Sequence, residues 1–130
     1  MTFAGAIHAR WAADSSLAGL LPAARLFTGP VRGDSALPYA VLLDEQTTLL
    51  ARTNRGSDLL ERTFRIQVWA AELDAGLSVV AALQSAFDES SFTFDGGAVL
   101  DCRLVSTTEM ALATGAWRLE CAYSALVKLG

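Results

Sequence analysis

The sequence predicts an α+β fold, a mostly antiparallel four-stranded sheet with two main helices packed on one face. Phe64, Ile66, Val68 and Ala70 alternate with Thr63, Arg65 and Gln67, the period of two of a sheet with one buried and one wet face. Leu73, Leu77, Val80, Leu83 and Phe87 recur at helical spacing. Trp117, Leu119, Cys121, Tyr123, Ala125 and Val127 share one face of a final strand, opposite Arg118, Glu120, Ser124 and Lys128.

At the N-terminus, Phe3, Ile7 and Trp11 fall four apart among alanines and predict a helix over about Thr2 to Ala13. Asp14, Ser15 and Ser16 offer N-cap oxygens to a short turn from Leu17 to Leu21, which Pro22 ends. Leu26 to Val31 has the composition of a short strand weakened by Gly29 and Pro30. After the loop formers Arg32 to Leu37, Pro38 opens a run from Tyr39 to Leu43 that is apolar on both faces and continues toward Leu50. The stretch Ala51 to Asp58 separates two strand-like segments and is expected to be an exposed hairpin loop. The wider span Thr47 to Asp58 is long for a hairpin connection, and is expected to be mobile in a free subunit and to order against a neighbour. The second main helix is expected from about Leu73 to Asp88, with Asp74 placed to favour the N-terminal dipole. Gly96 and Gly97 turn the chain from a Phe92 to Phe94 segment into a strand from Val99 to Glu109, and Thr114 and Gly115 turn it into the last strand.

With 130 residues there is little room for a second hydrophobic core, so residues 1–130 are read as one domain. An apolar fraction of 52% against 18% charged residues excludes a disordered chain and leaves apolar surface to be covered by an interface. A formal charge of −4 argues against gripping nucleic acid, because that affinity comes from clustered Lys and Arg. Residues Met1 to Arg10 lack the pattern of a secretion signal, and no run reaches the roughly 18 apolar residues of a membrane helix, so the expectation is a soluble protein made in the cytoplasm. Cys102 and Cys121 lie on the apolar phase of their strands, have no zinc spacing, and are expected to be buried reduced thiols.

Catalytic chemistry finds little support. His8 is the only histidine and sits on an otherwise apolar helix, where a solvated or capped role accounts for it better than a catalytic base. The GxSxG, GxxxxGK and GxGxxG spacings are absent. The acidic pairs Asp44 and Glu45, Glu72 and Asp74, and Asp88 and Glu89 each end a predicted element, where carboxylates are ordinarily hydrated rather than metal ligands. Arg32, Gly33 and Asp34 spell a tripeptide too short to carry meaning. Trp11, Trp69 and Trp117 are read as core or interface rather than as a ligand platform. No catalytic residue, cofactor or metal is assigned.

Three segments carry a resemblance. Leu37-Pro38-Tyr39-Ala40-Val41 enters a strand, Arg62-Thr63-Phe64-Arg65-Ile66-Gln67-Val68-Trp69-Ala70 leads to an alanine-rich helix, and Thr114-Gly115-Ala116-Trp117-Arg118 opens the last strand. Together they resemble the tail completion (tail terminator) proteins of tailed bacteriophages, found also in prophages and gene transfer particles. The resemblance implies a virion protein that forms a ring, usually of six subunits, closing the tail tube and facing the head connector, with DNA passing through. It carries over no catalytic residues. The apolar Met110 to Ala113 region departs from the expected polarity of a hairpin tip and is read as a contact surface.

Leu49, Leu50, Arg52 and Arg55, with Met110 and Leu112, are therefore the candidate contacts between subunits or with partners. Asp44, Glu45, Glu72, Asp74, Asp88 and Glu89 are the candidates for an acidic lumen that repels phosphate. Two other readings remain open: another neck or tail protein, such as a connector or tube subunit, and a small-molecule-binding α+β domain using His8.

Overall fold

Helix α1 (Phe3–Ala13) forms on the predicted stripe, and the Thr2 hydroxyl caps it by accepting the Gly5 N–H at 3.0 Å. The computed structural model describes residues 1–29, 36–52 and 56–130, and only the backbone of Asp44 and Glu45. Asp14 caps α2 (Ser15–Leu20) through the Leu17 N–H at 2.9 Å, and Pro22 is followed by a single 3₁₀ turn, Ala23–Arg25. The remaining elements are β1 (Leu26–Thr28), β2 (Tyr39–Arg52), β3 (Asp58–Ala70), α3 (Leu73–Phe87), β4 (Phe92–Phe94), β5 (Gly97–Ala111) and β6 (Trp117–Leu129).

The strands form one sheet in the order β1-β2-β3-β6-β5-β4, with β1 parallel to β2 and every other neighbour antiparallel. This corrects the expected four-stranded antiparallel sheet with two helices: the described residues make a mixed sheet of six strands with three helices. The class remains α+β. The added strands span three residues each, too short for any periodicity; β1 lies within the Leu26 to Val31 segment read as a weakened short strand, but its parallel pairing with β2 leaves no hairpin signature in the sequence. The added helix, α2, has six residues and was expected only as a turn.

All three helices contribute to one core on one side of the sheet. Phe64 stacks on Tyr123 with ring centroids 5.2 Å apart, and Phe3 meets Phe64 edge-on at 5.6 Å. From β3 come Phe64, Ile66, Val68 and Ala70, and from β6 come Leu119, Cys121, Tyr123, Ala125 and Val127, all buried. Each large side chain so buried contributes about 1.5–3 kcal/mol. Arg62 belongs to the same side and lays its guanidinium 4.1 Å from the Phe3 ring centroid, so its stem and planar head close the core.

The expected mobile loop from Thr47 to Asp58 is largely strand. Thr47, Thr48, Leu49, Ala51 and Arg52 pair with residues of β3 from Arg62 back to Asp58, and β6 backs that part of β3 through Leu129. The helices do not cover this arm, both faces are wet from Gln46 to Arg52, and the alternation that marks a strand is lost. Met110 and Ala111 likewise belong to β5, whose exposed run Val105–Ala111 extends past the core. The tripeptide Arg32-Gly33-Asp34 lies outside the described residues.

Short edge strands leave long stretches of their neighbours unpaired. β1 covers only Ala40 to Leu42 on the outer side of β2, and β4 covers only Gly97 to Val99 of β5. Beyond β4, the Glu89 N–H reaches the Cys102 carbonyl at 2.7 Å. From there on, Val105–Ala111 has no partner strand on its outer side among the described residues, and neither does β2 beyond Leu42.

Candidate functional site

No group of three or more His, Cys, Asp or Glu among the described residues could hold a metal ion. The His8 Nε2 lies 2.9 Å from the Thr28 hydroxyl, which ties α1 to β1, and partial burial lowers its pKa. Cys102 and Cys121 are free thiols facing the helices. Burial, helped by the charges of Asp101 and Asp88, pushes the Cys102 thiol up to about 12. Burial and the Glu120 charge push Cys121 up to about 11.

These thiols carry a prediction. Stability from keeping them neutral is fully present below their ordinary value of 9.0 and is lost as pH rises from there through about 11 and about 12. At neutral pH a thiol reagent is expected to label neither cysteine until the protein unfolds. Labelling of the native protein as fast as of a free thiol would contradict the burial.

The candidate contact residues do not form one patch. Leu49 and Leu50 sit exposed on the β2–β3 arm, at 49% and 52% of full exposure, where Arg52 pairs with Asp58 at 3.4 Å. Arg55 lies outside the described residues. Met110, 48% exposed on β5, takes Arg118 Nη2 at 3.4 Å from its sulfur. Leu112 is half-buried in the β5–β6 turn, where its N–H donates to the Ala116 carbonyl at 2.9 Å.

The two groups occupy opposite corners of the sheet. Leu49 pairs with Leu60, and thence with Val127, whereas Met110 pairs with Arg118. That separation is roughly 30 Å along the strands, and three strand spacings, roughly 14 Å, across them. The acidic candidates are also dispersed. Glu72 and Asp74 stand exposed at the start of α3, and Asp88 and Glu89 stand exposed at its end. Asp44 and Glu45 lie on β2, and their side chains are outside the description.

Two features escaped sequence reasoning. The first is a row across one end of the sheet's helix-free face: Arg25 over Phe27 at 5.8 Å, Phe27 edge-on to Tyr39 at 6.2 Å, Tyr39 stacked on Trp69 at 5.7 Å, and Arg118 over Trp69 at 5.6 Å. A tryptophan on the wet phase of the alternating β3 was the available signal. The second is a groove of about 240 Å³ between α3 and the free end of β5, lined by Leu77, Val80, Ala81, Thr107, Glu109 and Leu119 among others. It joins residues far apart in the chain, and no local pattern marks it.

The family model described as tail completion protein gp17 matches residues 5–128. Among solved structures, a chain in the virion of a native gene transfer agent (GTA) particle is similar, with a TM-score of 0.75 at 18% identity, covering 96% of this chain and 96% of that one. At that identity the likeness carries the fold alone. No curated protein matches the sequence.

Proposed function

We infer the function from one premise: the chain belongs to the tail completion protein gp17 family. That membership makes it a structural protein of the phage tail, located in the virion. Our reading of its role is a homo-oligomeric ring, six subunits round, that terminates the tail tube and joins it to the head connector. Tail tube protein lies on one side and connector protein on the other, DNA passes through without specific binding, and no catalysis is involved.

One observation carries the ring: the exposed contact candidates lie at opposite corners of the sheet rather than in a single patch. A two-fold dimer joins the same patch on both copies, whereas two distant patches that meet between copies give a head-to-tail contact, which closes into a ring when the rotation per subunit allows. The charge of −4 suits a conduit, since a wall that repels phosphate does not hold the genome.

Electron microscopy of the purified protein tests this. Closed rings of uniform size are expected. Open tubes would favour the tube-subunit reading instead, and compact single subunits at every concentration would overturn self-assembly.

A further inference from the structure

We propose that the β2–β3 arm of one copy docks in the groove between α3 and β5 of the next, extending the open β5 edge by antiparallel pairing. The proposal rests on the head-to-tail assembly above and names the two surfaces that meet.

Strand direction permits the contact. Three antiparallel steps separate β2 from β5, so the two run in opposite directions within one sheet. A second copy in the same orientation, placed beside β5, therefore presents the outer side of β2 antiparallel to it. No inversion is needed. The edges are also complementary in outline. Among the described residues, the open part of β2 lies toward the arm and the open part of β5 toward the opposite end, while β1 and β4 occupy the remaining halves. Two copies offset along the strands bring open run against open run, with each short strand clear of the other copy. A sheet that closes on itself needs such a stagger.

The faces agree as well. Leu49 pairs with the core residue Leu60 and so projects on the helix side, and Arg52 returns to that side opposite Asp58 after the register shift between Leu49 and Ala51. On β5, Thr107 and Glu109 pair with the core residues Cys121 and Leu119, which puts them on the helix side beside Leu77 and Ala81 of the groove. Directly opposed residues share a face, so Leu49 enters the groove on the side formed by Leu77, Val80, Ala81 and Leu119.

Charge selects the same occupant. Glu109 is the charged residue that faces the groove from the helix side, Asp74 stands exposed at the start of α3, and Glu120, next to Leu119 on β6, turns its carboxylate to the helix-free face. Glu120 already pairs with Arg65 at 3.3 Å and with Gln67 at 2.8 Å. The arm brings Arg52, whose side chain is 71% exposed beside Asp58. Within one chain the arm lies at the far corner of the sheet from the groove, so only a second copy can supply it.

The test cross-links Leu49→Cys and Leu77→Cys with a short bifunctional maleimide, the native cysteines being buried. Each variant is assembled alone and in an equal mixture. Covalent dimers are expected in the mixture and not in either variant alone, and the double variant is expected to give a ladder ending at the ring. Dimers of Leu49→Cys with itself would overturn the docking, because they require a two-fold contact. Rings seen by microscopy without any cross-link in the mixture would also overturn it while leaving the ring intact. Failure to assemble at all would remove the ring reading and the docking together.

Discussion

Trp11→Ala is expected to destabilise the subunit by about 3–5 kcal/mol, a large share of the roughly 5–15 kcal/mol that holds a domain together. Trp11 is wholly buried and is the largest side chain that is. It ends the stripe Phe3, Ile7, Trp11 that seats α1 on the core, and its Nε1–H donates to the Leu21 carbonyl at 2.8 Å, just past the end of α2. Truncation opens a cavity and removes the donor from a carbonyl that α2 leaves unpaired. Trp11→Phe keeps most of the volume and is expected to cost less than half as much. Urea denaturation with an unchanged m-value reads both effects. A loss below about 1 kcal/mol for Trp11→Ala would show that the α1–α2 corner is peripheral to the cooperative unit.

The α1 stripe, the alternation in β3 and β6 and the spacing in α3 were legible because each element meets the core on one face and water on the other. Phe64, Ile66 and Val68 are buried while Arg65, Gln67 and Trp69 are not, and the period of two survives in the sequence. The arm had no such asymmetry. Thr47 to Arg52 is exposed throughout, and its pairing depends on β3 residues that follow a turn. Register shifts erased the rest: those near Leu50 in β2 and near Leu100 and Val105 in β5 add a residue and reverse the face of everything beyond. The candidate contacts are apolar residues and arginines of segments that read as loops. The placement of Leu49, Leu50, Arg52 and Met110 on two strand edges, and the groove beside one of them, follow only from the way β3 and β6 join two hairpins at the centre of the sheet.

The acidic candidates lead to the second large effect, on DNA passage rather than on folding. Glu72 and Asp74 at one end of α3 and Asp88 and Glu89 at the other are separated by a helix of 15 residues. At 1.5 Å per residue that is roughly 22 Å, too far for both pairs to line one narrow constriction. Glu72→Lys with Asp74→Lys puts positive charge at a helix N-terminus and is expected to cost the subunit about 0.5–1 kcal/mol. Asp88→Lys with Glu89→Lys puts it at the C-terminus, where the dipole favours a cation, and is expected to be neutral within about 0.5 kcal/mol. Both double variants should therefore fold and form rings. In particles assembled with each, one pair is expected to lower DNA delivery roughly tenfold or more by attracting phosphate at the wall, with the deficit shrinking as salt is raised, and the other pair is expected to leave it unchanged. Delivery unaltered by either pair, with rings intact, would remove the electrostatic support for an acidic conduit at these four positions and leave a plain structural closure of the tail as the better description.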